Sequence, residues 1–426
     1  MSPTRSTLAL LAVTVLASAA GAQGTAPPPS ARDFEVARRA LRAAPLIDGH
    51  NDLPWAIREA KGAPMDVEAY DLTKKTPGHT DLPRLRQGLV GGQFWSIYIP
   101  GEIRDSGYAR VQLEEFDIAK RVIAKYPKDL AFAWTAADVR RAHKAGKIAS
   151  MLGLEGGHAI ENSLGALRAY RDLGARYMTL THNVALDWAD AALDSAKHGG
   201  LTPFGQEVVR EMNRLGMIVD LAHVSPATMS DALDVTEAPV IFSHSGARAV
   251  TDVARNVPDS ILRRMPKNGG VVMVPFVPGF VSKAVLEWEQ AADRARQEVV
   301  AKGTGEAAMR QMMQEYRRAH PLPRATIADV ADHIEHVRQV AGIDHVGIGG
   351  DFDGISTTPL GLEDVSTYPA LFAELARRGW TQAQLEQLAG RNVLRVLEQA
   401  ERVASRLQKE RAPSTKTISE LDHPKP

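Results

Sequence analysis

The chain contains no cysteine in 426 residues. Disulfides are thereby excluded in any compartment, and no thiolate can act as nucleophile or metal ligand. Any bound metal must be held by histidine, aspartate and glutamate. Neither sign of charge predominates: 51 Lys and Arg face 51 Asp and Glu. No global field exists to draw nucleic acid or an anionic membrane, although a local charged site is compatible with this balance. The sequence also lacks a P-loop, a G-x-G-x-x-G turn and a serine nucleophile elbow, which removes the usual phosphate cradles and serine hydrolase chemistry.

What is there is a globular composition, 44% hydrophobic and 24% charged, unlike that of a disordered chain. Its length fits one large domain. Residues 1–22 read as an export signal: Arg5 gives a positive start, Leu8 to Ala20 an apolar run, and Ala20-Gly21-Ala22 a small-residue cleavage site before Gln23. The run is short for a membrane span, so an uncleaved anchor is the weaker alternative. Residues 23–32 are a Pro-rich linker, and Asp33 to Ala44 has helical apolar spacing. Residues 406–426 form a polar tail, expected to fray, with no hydrophobic stretch for a glycolipid anchor. An exported protein, most simply periplasmic, is expected.

Between these ends, residues 45–405 alternate strands with amphipathic helices. Eight strands are expected, at 45–49, 92–99, 148–154, 176–181, 217–221, 239–243, 270–275 and 345–350. The helix-like stretches between them, such as GQEVVREMNRLG, often close on glycine. Strand–helix alternation argues for parallel pairing, and eight units favour a (β/α)8 TIM barrel over a doubly wound sheet. A charged, helix-prone excursion from Gly279 to about Pro323 precedes the eighth strand.

Four histidines and three acidic residues fall just after these apolar runs: His50, Asp52, Glu155, His182, His223, His244 and Asp351. A barrel gathers its C-terminal strand ends on one face, so residues 300 apart can share an ion. His50 and Asp52 are two apart and point the same way from a strand end. They chelate a cation or, alternatively, hold a turn as a bonded pair. Glu155, in GLEGGH, has two oxygens and can bridge two cations; otherwise it caps a helix. His223 and His244 close successive strands and suit a second cation; otherwise they are core histidines. Asp351 reads as a ligand, a proton shuttle or a turn residue. Arg255 offers a fork for a carboxylate, and His182 a donor to an oxyanion; a surface ion pair and a loop histidine are the plainer readings. His333 and His336, at i and i+3, read as a solvated helix face. His158 stays unassigned, His198 lies in a loop able to approach the site, and His79, His143, His320 and His423 fall in polar loops or tails.

Charge arithmetic favours two divalent cations. Asp52, Glu155 and a shared hydroxide leave about one positive charge, which with Arg255 would attract an anionic substrate near an ionised water. Hydrolysis of an amide beside a carboxylate is the natural reaction.

The stretches LIDGHNDLPW, GLVGGQFWSIYIP, GLEGGHAIENSLGALRAYRDLGARYMTLTHN, GLTPFGQEVVREMNRLGMIVDLAHVS, PVIFSHSGARAVTDVARNVPD and GIGGDFDG resemble the membrane (renal-type) dipeptidases, metallopeptidase family M19, among the amidohydrolase-like barrels. The resemblance runs from about residue 46 to 400. It implies a two-zinc dipeptidase, with His50 and Asp52 on one zinc, Glu155 on both, and His223 and His244 on the other. It also implies an oxyanion-stabilising His182, a carboxylate-binding Arg255, a proton-shuttling Asp351 and a pocket-lining Tyr98. Such sites also take Mn, Co or Ni. The animal members' glycolipid anchor and disulfides have no counterpart here, so any homodimer would be non-covalent. An amidase for N-acyl amino acids or β-lactams and a catalytically silent barrel are the alternatives.

Overall fold

Strands buried on both faces need apolar residues at nearly every position, and this sequence supplies such runs at regular intervals. The computed structural model describes residues 27–103, 107–301, 303 and 305–423. The strands are β1 (Leu46–Asn51), β2 (Val90–Tyr98), β3 (Leu130–Phe132), β4 (Ile148–Glu155), β5 (Ala175–Thr179), β6 (Ile218–Asp220), β7 (Ile241–Phe242), β8 (Val271–Val274) and β9 (Val346–Ile348). All pairs are parallel. Pairing of β2 with β4, from Gly92–Ala149 to Tyr98–Glu155, and of β1 with β9 closes eight strands into a barrel. The expected TIM barrel is thus the fold.

The eight expected strands are all present. β3 was not expected. It pairs with the first residues of β4, Ile148–Ser150, whereas β5 pairs with β4 only from Leu152 onward.

Alternation sorts the core into two layers. Ile47, Met151, Tyr177, Ile218, Ile241 and Met273 fill the barrel. Their neighbours Leu46, Leu152, Met178, Val219, Phe242 and Val272 face the surrounding helices. The helix Asn392–Glu410 runs past residue 405, and its Val393, Val396 and Leu397 join the interior layer.

The excursion before the last strand is helical as expected: Pro278–Val281, Lys283–Ala301 and Glu306–Ala319. The N-terminal helix spans Ala31–Ala43, with Ser30 and Asp33 forming a capping box. The polar tail departs from the expected fraying. Asp422 accepts from the Thr202 hydroxyl (2.7 Å) and the Phe204 amide (2.8 Å), at the start of the helix Pro203–Leu215. A carboxylate at a helix N-terminus satisfies amides that have no partner within the helix. The expected export signal lies outside the described residues. Among the described residues, no helix is long and apolar enough to cross a membrane.

Candidate metal centre

The inward register of β4 carries through Met151 and Gly153 to Glu155, which therefore projects into the barrel mouth. His50 lies near the end of β1, and Asp52 opens the helix Leu53–Arg58. His223, His244 and Asp351 follow β6, β7 and β9 within three residues. His223 and Asp351 adopt left-handed backbone, with φ of 66° and 62°. That conformation is uncommon outside glycine and persists where the surroundings enforce it.

The two oxygens of Glu155 face different partners. Oε2 stands 3.3 Å from His50 Nε2, which is also 3.2 Å from Asp52 Oδ2 and 4.0 Å from Asp351 Oδ1. Oε1 stands 3.0 Å from His223 Nε2 and 3.5 Å from His244 Nε2. Three groupings keep their donor atoms within 4.8 Å of one another: His50, Glu155 and His244; Glu155, His182 and His223; His50, Asp52 and Asp351. All seven groups expected at the mouth are thus brought together.

Each of the three deepest imidazoles has its far nitrogen engaged. His50 Nδ1 meets the Tyr177 hydroxyl (3.1 Å), which donates onward to the Gly49 carbonyl (3.1 Å). His223 Nδ1 meets Asn183 Oδ1 (3.0 Å). His244 Nδ1 meets Ser243 Oγ (2.8 Å), whose hydroxyl donates to Asp220 Oδ2 (2.7 Å). Acceptors at Nδ1 place the proton there and leave the Nε2 lone pairs for the centre, an arrangement typical of metal-binding histidines. Gly153 makes the first link possible, because a Cβ there would stand 2.0 Å from the Tyr177 ring.

Charge is concentrated here. Burial disfavours a charged His50, yet Glu155 and Asp52 outweigh it and hold its pKa well above the usual histidine value. Burial, with Arg255 and neighbouring histidines, pushes His223 and His244 well below that value. Burial and the nearby carboxylates Asp52 and Glu155 push Asp351 well above the usual carboxylate range. Crowded carboxylates beside imidazoles suit divalent cations, which relieve the mutual repulsion of the carboxylates. Residue types, convergence and engaged far nitrogens all fit a binuclear site.

A pocket of about 390 Å³ opens over these groups. Its wall includes Trp55, Tyr98, His182, Arg255 and Phe280. The Tyr98 ring lies 4.9 Å from His182 and 5.0 Å from Trp55. Arg255 is 2% exposed, yet its Nη1 has no hydrogen-bond partner among the described residues; His182 Nδ1 likewise has none. Burial lowers the Arg255 pKa to about 10.

Other histidines serve the framework. His158 Nε2 bonds the Ile99 carbonyl (2.9 Å) and His198 Nε2 the Leu186 carbonyl (3.0 Å). The expected solvated face is corrected: His333 is fully buried, its Nδ1 accepting from the Ala247 amide (2.9 Å), and His336 bonds Asp259 (2.8 Å). Sequence reasoning missed Tyr177, Asn183, Ser243 and Asp220. It also missed Asp48, whose buried carboxylate accepts from His50 N, Gln93, Gly350 N and Tyr368. The only local signal was spacing, since Asp48 precedes His50 by two residues and Asp220 precedes His223 by three.

A closed parallel barrel with imidazoles and carboxylates gathered at its C-terminal mouth is the arrangement of a metal-dependent hydrolase. The chain belongs to the membrane dipeptidase family, peptidase family M19, whose model matches residues 34–411; membership makes it a dipeptide-hydrolysing metallopeptidase. Its fold is similar to that of the probable dipeptidase PvdM from Pseudomonas aeruginosa, with 24% identity and a TM-score of 0.76 over 88% of this chain and 99% of that one. A metallo peptidase from Rhodobacter sphaeroides, solved with a phosphinate mimic of the dipeptide L-Ala-D-Ala, matches with 25% identity and a TM-score of 0.69 over 84% and 99%.

Proposed function

We propose that the protein is an exported two-zinc dipeptidase whose substrates include dipeptides ending in a D-residue. His50 and Asp52 would hold one ion, His223 and His244 the other, and Glu155 both. Bound there, the ions would supply an ionised water near neutral pH and polarise the scissile carbonyl. Export rests on the composition of residues 1–22, and D-residue acceptance on the mimic bound by the Rhodobacter relative.

The observation that carries the reading is Arg255. A buried guanidinium with an unpartnered N–H, lining the same pocket as the ligand groups, calls for a carboxylate. The free carboxylate of a dipeptide meets that need. His182 lines the same pocket and donates to the developing oxyanion. Asp351, which lines the pocket 4.0 Å from His50 Nε2, takes the attacking water's proton and passes it to the leaving amine. Tyr98 and Trp55 wall the pocket.

Parallel assays of L-Ala-D-Ala, its C-terminal amide and N-acetylalanine on zinc-loaded protein test this. The free dipeptide should be cleaved best. Arg255→Met should lower kcat/KM for it about a hundredfold or more and leave the amide little changed. Equal loss on both substrates removes Arg255 from carboxylate binding, and preference for N-acetylalanine makes the protein an amidase. Asp351→Asn should keep the metals and lose about 10²- to 10⁴-fold in kcat; full turnover removes the proton-carrying role.

A further inference from the structure

The segment carrying Asp351 is gripped from two sides. On one side the end of β1 holds it: Asp351 N–H donates to the His50 carbonyl (3.2 Å), and Asp52 N–H donates to the Phe352 carbonyl (2.9 Å). On the other side lies the irregular loop between the helices Leu53–Arg58 and Leu82–Gln87. There His79 and Asp353 bond each other twice. The His79 amide donates to Asp353 Oδ1 (2.6 Å), and the Asp353 amide donates to His79 Nδ1 (3.0 Å). The His79 ring also lies 5.6 Å from that of Phe352.

Two details show that this contact is closely fitted. A Cβ on Gly78 would stand 2.1 Å from Asp353 Oδ1, so only glycine allows the loop to approach. Asp351 and Asp353 are both left-handed, at φ 62° and 66°. Two such residues within three positions need outside bonds to hold them. The neighbouring Thr80 ties the same loop to β1 by accepting from Asn51 Nδ2 (2.8 Å). Asp353 also lines both the catalytic pocket and an adjoining open hollow of about 770 Å³ lined largely by this loop.

We infer that His79 is a positioning residue for the reaction: through its paired bonds to Asp353 it fixes the turn that aims the Asp351 carboxylate into the metal centre. His79 lines the adjoining hollow and does not line the catalytic pocket. Its effect therefore falls on turnover and not on substrate binding. This inference rests on the proposed role of Asp351 as proton carrier.

The test compares His79→Ala with His79→Asn in the full-length, zinc-loaded protein, using L-Ala-D-Ala. The asparagine carbonyl occupies roughly the place of Nδ1 and keeps an acceptor for the Asp353 amide; alanine keeps none. His79→Ala should lose about 10- to 100-fold in kcat, the scale of a misplaced catalytic group. Its KM should change less than about twofold, with zinc stoichiometry unchanged. His79→Asn should recover most of the lost kcat. Should His79→Ala not fold, His79→Gln replaces it, because its acceptor lies one methylene further out, and the same loss is expected. Wild-type kcat in the alanine or glutamine variant overturns the inference. So does a loss that asparagine does not restore, or one accompanied by zinc loss. An inactive wild-type protein instead overturns the dipeptidase reading and this inference with it.

Discussion

At the scale of single residues, the groups gathered at the barrel mouth were legible and their supports were not. His50, Glu155, His223 and His244 each close an apolar run, and a charged or polar group at a strand end stands out in any parallel barrel. Asp220 gives no such signal, because within MIVDL it reads as one more strand position. Its role depends on three strands meeting. It accepts from Thr179 (2.5 Å) beside it on β5, and from the Ser243 hydroxyl (2.7 Å) and amide (2.8 Å) beyond β7. Through Ser243 it orients His244. Asp220→Ala should therefore weaken metal affinity about 10- to 100-fold, the usual cost of losing an outer partner of a ligand histidine. Competition against a chromogenic chelator measures this, and an unchanged affinity would leave Asp220 with a purely structural part.

At the scale of elements, strands of the closed barrel were readable because burial on both faces gives unbroken apolar runs. β3 escaped notice because three residues, Leu130–Phe132, carry no period; it forms only where β4 offers a free edge. The helix Ile327–Ala341 was readable as a helix, but the direction of its His333 face was not. Burial lowers the His333 pKa to about 4 from an unfolded value of 6.5. The unfolded chain then binds the extra proton throughout that interval. The contribution of His333 to stability is complete above pH 6.5 and declines as pH falls to about 4, by about 3 kcal/mol. Urea unfolding of His333→Gln should show a shallower loss of stability between those pH values than the wild-type protein. Parallel slopes would mean that other groups set the acid sensitivity.

At the scale of the whole molecule, strand–helix alternation narrowed the fold without deciding it. A doubly wound sheet has the same pattern, and only the pairings β2–β4 and β1–β9 separate the two. Those pairings are tertiary facts that no local periodicity encodes. Closure also means that His50 and Asp351, from the first and last strands, reach one centre. Ions bound there should stabilise the closed state over the unfolded chain, by about 4 kcal/mol when free metal exceeds its Kd a thousandfold. Chelation should lower Tm by several degrees, and zinc should restore it; superimposable melting curves with and without chelator would show that the ions contribute nothing to stability.

The joining of the first and last strands at this centre ties its completion to completed folding. A nascent chain that has yet to emerge through residue 351 cannot assemble the full constellation, however well its earlier strands have paired. Asp351, the proposed proton carrier, joins last, so a hydrolytic centre would be armed only after the whole barrel has been built.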